Sequence, residues 1–124
     1  MNKAVKLNTT ELSALVVEAL EDVKALDIRV LDVQTISNFT DHMIIATGRT
    51  VRQVKALANS VAVSVKEAGG VVLGQEGENP GEWILLDLGD VVVHIMVPQV
   101  RDFYNLEKLW AIDGEMSKPD DTSL

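Results

Sequence analysis

Trp83-Ile84-Leu85-Leu86-Asp87-Leu88-Gly89-Asp90-Val91-Val92-Val93-His94-Ile95-Met96-Val97 decides the fold. Two apolar runs, Trp83 to Leu88 and Val91 to Val97, stand on either side of Gly89-Asp90. A two-residue connection with glycine first fits a type II′ turn, which needs a positive φ at its first position. The stretch therefore predicts an antiparallel hairpin. In the first strand Ile84, Leu86 and Leu88 share one face, which leaves Trp83, Leu85 and Asp87 on the other. A face that carries both a tryptophan and an aspartate is only partly covered. Trp83 either plugs the core near the strand end or reaches a partner.

Upstream, Gly74, Gly77, Pro80 and Gly81 form a glycine-rich loop around Glu76 and Glu78, and Val71-Val72-Leu73 begins the strand before it. Farther back, Thr50-Val51-Arg52-Gln53 has the spacing of a capping box. The helix it opens carries Val51, Val54, Leu57, Ala58, Val61, Ala62 and Val65 on one side and ends at Gly69-Gly70. Two strands precede that helix, Ile28 to Val33 and His42 to Thr47, separated by a polar loop. Asn8-Thr9-Thr10-Glu11 caps a first helix whose stripe is Leu12, Leu15, Val16, Ala19, Leu20 and Val23. Downstream, Pro98 stands at a first helical position and opens a short helix through Trp110. The predicted architecture is α/β: one compact domain over residues 1–112, with a mixed β-sheet of about five strands flanked by helices. Residues 113–124 are polar, acidic and contain Pro119, which predicts a flexible tail.

Composition narrows the function. The chain has 124 residues, 47% of them hydrophobic, enough for one buried core. With no cysteine, disulfides and thiolate metal sites are excluded. No apolar run approaches the ~20 residues needed to span a bilayer, and no signal or transit pattern opens the chain, so a cytoplasmic protein is expected. Nineteen acids against 11 bases give a net charge of −8. Gripping a nucleic-acid backbone ordinarily takes a basic face, so a basic protein surface is the better-matched partner.

Catalytic readings find little support. Asp87 and Asp90 flank the hairpin turn, where Gly-Asp is an ordinary turn choice. His42 and His94 are the only histidines, and His94 alternates with Val92 and Met96 on one strand face, as a packed histidine would. No serine lies in a nucleophile-elbow pattern. Thr47-Gly48-Arg49-Thr50 could hold an anion at a helix start, yet it lacks any phosphate-loop pattern and reads as a tight turn into a capped helix. No catalytic residue, metal site or cofactor is expected. In the last helix, Phe103, Leu106 and Trp110 form a stripe best read as core packing. Arg101, Tyr104 and Lys108 fall on the opposite side, with Glu107 near the border. A tyrosine among charges there is either an interface anchor or a snorkelling surface residue.

Three segments resemble the bacterial ribosomal silencing factor (iojap-related) family. They are Asp41 to Gly48, Glu76-Gly77 with Trp83 to His94, and Arg101 to Trp110. The resemblance covers about Leu26 to Trp110. It implies a nucleotidyltransferase-like fold without catalysis. It further implies binding to ribosomal protein L-fourteen on the large subunit, so that joining of the small subunit is blocked and translation repressed, notably under nutrient limitation. Contact with ribosomal RNA would be peripheral at most. By type, the family's partner-binding residues carry over to Trp83, Tyr104, Leu106 and Glu107, with Lys108 as a neighbour, although Leu106 also falls on the core stripe. Homodimers are implied too. Two other readings stay open: a nucleotide-handling enzyme, for which the Asp-x-Asp metal pair is missing and Gly48-Arg49 stands in the turn, and a homodimeric adaptor with another partner.

Overall fold

Eight elements follow one another along residues 7–104, which the computed structural model describes. They are α1 (Thr9–Asp22), β1 (Leu26–Asp32), β2 (His42–Thr47), α2 (Val51–Glu67), β3 (Gly74–Glu76), β4 (Trp83–Asp87), β5 (Val91–Met96) and α3 (Pro98–Tyr104). The strands form one five-stranded sheet in the order β1-β2-β5-β4-β3. Only β2 and β5 run parallel, in register from His42 opposite Val91 to Thr47 opposite Met96. The remaining pairs are antiparallel, including the expected β4–β5 hairpin. At its turn Gly89 has φ +90°, the sign a type II′ turn demands, and its N–H donates to Asp87 Oδ1 at 2.9 Å. Asp87 therefore serves the turn.

Both long helices lie on one face. Leu12, Val16, Ala19 and Leu20 of α1 and Val54, Leu57, Ala58, Val61 and Val65 of α2 pack with Ile44, Ala46, Ile84, Leu86, Val93 and Ile95. Burying this many branched side chains is the main source of stability. Asn8 starts α1 with a complete capping box, its side chain accepting from Glu11 N while Glu11 accepts from Asn8 N. At α2 the box is modified. Thr50 accepts from Gln53 N, but the Gln53 carbonyl oxygen accepts from Arg49 N at 2.7 Å instead of from the cap residue. The Gln53 amide then donates to Val23 O and Lys24 O at 3.0 and 3.1 Å, which satisfies carbonyls at the end of α1.

Two further expectations need correction. The third strand is Gly74–Glu76, not Val71 to Leu73. Its register is set by β4, with Gly74 opposite Asp87, whereas Val71 and Leu73 remain 63% and 64% exposed. The stripe assignment for α3 is inverted: Phe103 is 79% exposed, and Arg101 is buried. The guanidinium is accommodated because Arg101 Nη1 donates to Asp27 O at 2.6 Å and to Thr47 Oγ1 at 2.7 Å. The rest of the helix expected through Trp110, and the expected tail at 113–124, lie outside the described residues.

Candidate partner-binding face

The sheet face turned away from α1 and α2 is the distinctive surface. Period-2 alternation sends Met43, Ile45 and Thr47 of β2, Val92, His94 and Met96 of β5, and Trp83, Leu85 and Asp87 of β4 to that side. Its centre is a small second cluster of Val33, Met43, Ile45 and Met96, with Leu31, Trp83 and Val100 packed on it. Toward β4 the cover thins, and Trp83, Leu85, Asp87 and Val92 are all only half-buried.

Trp83 is held by a specific bond. Its indole Nε1 donates to His94 Nδ1 at 2.9 Å, with ring centroids 5.8 Å apart. An indole can only donate, so His94 Nδ1 must be unprotonated and its ring proton sits on Nε2. Burial pushes the His94 pKa down to about 4, which keeps the ring neutral at pH 7. The neutral imidazole thus fixes the orientation of the indole at the edge of the core. Gly77 supplies the other constraint. It has φ +92°, and a Cβ there would overlap the Trp83 carbonyl oxygen, so β3 passes β4 only as glycine. Glu76, Gly77, Trp83 and Leu85 line a shallow depression of about 220 Å³. Both alternatives open for Trp83 hold at once: it packs on the second cluster and it borders solvent.

The remaining expected site residues are placed unevenly. Tyr104 closes α3, directly after the exposed Phe103, while Leu106, Glu107 and Lys108 lie outside the described residues. His94 and Arg101 support the site from below, and neither role was evident from residue type. For His94 a usable signal existed, since its alternation with Met96 aims it at the face that carries Trp83.

The other candidate chemistry resolves into structure. Ser13 Oγ and His42 Nδ1 are 2.6 Å apart, but Ser13 is buried inside α1, where the pair braces that helix on β2. The start of α2 is occupied by its own side chains, Thr50 and Gln53, and Gly48 is packed under Val54 and Leu57. Among the described residues no group of three or more His, Asp or Glu gathers as a metal site, and no helix is long and apolar enough to cross a membrane.

Comparison with known proteins bears on the same stretch. The family described as "Ribosomal silencing factor during starvation" matches residues 6–123. A protein of Chromobacterium violaceum named ribosomal silencing factor RsfS is 56% identical over 100 residues, covering 81% of this chain and 82% of that one. A mouse protein named "Mitochondrial assembly of ribosomal large subunit protein 1" is 30% identical over 101 residues, covering 79% of this chain and 44% of that one. A crystal structure of a Chromobacterium violaceum protein superposes with a TM-score of 0.82 at 50% identity, covering 90% of this chain and 98% of that one.

Proposed function

Since this chain belongs to the ribosomal silencing factor family, we propose that it binds ribosomal protein L-fourteen on the large ribosomal subunit. Seated there, it occludes the face that meets the small subunit and represses translation, notably when nutrients are scarce. The observation that carries this reading is Trp83: a large aromatic fixed by a buried histidine, yet left half-buried on a sheet face that the long helices do not cover. A rigid aromatic with one wet edge is the type of side chain that dominates interface energies. Around it, Leu85 and Val92 offer apolar contact, while Glu76, Glu82 and Asp87 supply an acidic border suited to a basic protein. Tyr104, Leu106, Glu107 and Lys108 extend the contact along the chain that follows α3. No bond is made or broken in this function; it works by occupancy.

Charge refines the fit more than it sets the affinity. An acidic protein nearing an RNA-rich surface is repelled by phosphates, and screening limits its attraction to basic side chains to about 8 Å at physiological salt. Shape and anchors then decide where it sits. Titration calorimetry with purified L-fourteen tests this directly. Trp83→Ala and Tyr104→Ala should each weaken binding by ~2 kcal/mol, the scale of an interface hot spot, while circular dichroism confirms that both variants stay folded. Full affinity in both folded variants would remove this face from the contact.

A further inference from the structure

We infer that Arg101 is a positioning residue for partner binding: its buried guanidinium clamps α3 to the end of the sheet and so aims the segment that starts at Tyr104. The functional half of the inference rests on the proposed role of Tyr104 to Lys108; the clamp itself is testable without a partner. Helix α3 has only seven residues, too few to hold its shape or place by its own hydrogen bonds. Pro98, Gln99, Asp102 and Phe103 are all exposed. Val100 packs against both apolar clusters, and Arg101 is the buried side chain beside it. A single aliphatic contact fixes distance but permits rotation. Two short bonds from one guanidinium nitrogen, to Asp27 O at 2.6 Å and Thr47 Oγ1 at 2.7 Å, fix rotation as well.

The receiving groups belong to separate strands. Thr47 is the last residue of β2 and is itself buried. Asp27 sits where the β1–β2 register shifts between Leu26 and Arg29, and it has φ +49°, a conformation that L residues seldom adopt. Such a backbone persists where its surroundings impose it, and here it presents its carbonyl to Arg101. A cleft of about 500 Å³ lined by Asp27, Arg29, Thr47, Pro98, Arg101 and Asp102 gives α3 room to swing if the bonds are cut. A lysine could reach one acceptor but cannot reproduce the planar donor arrangement of arginine.

Hydrogen exchange on the full chain, paired with affinity for isolated large subunits, tests both halves. The informative variants are Thr47→Val, which is nearly isosteric and removes one acceptor, and Arg101→Lys, with Arg101→Met as the severe case that can fail to fold. The expected result is faster exchange confined to peptides spanning 98–108, larger in Arg101→Lys than in Thr47→Val, with α1, α2 and β2 unchanged. Affinity should fall about tenfold, the equivalent of one lost bond to a charged group. Adding Tyr104→Ala to Arg101→Lys should cost less than the two separate losses combined, because both act through one segment. Unchanged exchange at 98–108, or an equal rise along the whole chain, overturns the clamp. Local loosening with undiminished affinity overturns the positioning role. If the unaltered protein fails to bind large subunits, the proposed function falls instead, and the exchange pattern still decides the clamp.

Discussion

His94 receives the indole N–H of Trp83 on Nδ1, and that bond exists only while the ring is neutral. Its pKa lies at about 4 in the folded chain against 6.5 for the free side chain. Between those values the unfolded chain takes up a proton that the folded chain refuses. The stabilisation is therefore complete above pH 6.5 and is lost as pH falls toward 4, amounting to roughly 3 kcal/mol at 1.36 kcal/mol per pKa unit. Urea denaturation at pH 7.5 and 4.5 should show this loss in the native protein. His94→Gln, which keeps an acceptor and does not titrate, should show a correspondingly smaller loss, since the carboxylates contribute equally in both. Equal losses would mean that His94 is not the group responsible. Because the ring is neutral throughout the physiological range, the Trp83 edge of the surface keeps one geometry there.

Among the elements, α1 and α2 are joined by more than apolar packing. Gln53 bridges Arg49 N to the Val23 and Lys24 carbonyls, and Ser60 Oγ donates to Ala19 O at 2.9 Å. Gln53→Ala should lower stability by about 1–2 kcal/mol, the usual cost of stranding backbone groups at a helix end, measured as a shift in the urea midpoint with an unchanged slope. A loss under half of that would show that water replaces the bridge. Local pattern made much of this architecture legible. The hairpin followed from Gly89-Asp90 between alternating strands, β2 from His42 to Thr47 was bounded correctly by Gly48, and the α2 stripe matched its buried residues. Helix α3 was misread because its inner residue is a cation whose acceptors, Asp27 and Thr47, are 74 and 54 positions away. A helical projection of seven residues ranks Phe103 as inside by residue type and has no view of those partners. Val71 to Leu73 misled for a related reason: apolar residues mark strand propensity, but pairing with β4 fixed the strand three residues later.

For the whole molecule, the sheet has one thickly covered face and one thinly covered face, and the candidate site lies on the latter. Trp83 was legible as an ambiguous residue, and the ambiguity was physical, since the ring both packs and borders solvent. An interface of ordinary size buries about 800 Å² on each partner, so Trp83 would be one anchor within a footprint that extends past α3. Steric exclusion needs that footprint to persist on the subunit while the small subunit competes for the same face. Sedimentation of the purified protein with isolated large subunits, small subunits and joined ribosomes measures this most directly. The account predicts near-stoichiometric co-sedimentation with large subunits alone and inhibited joining when small subunits are added afterwards. Absence from large subunits at near-stoichiometric protein, or binding that leaves joining unaffected, would contradict it.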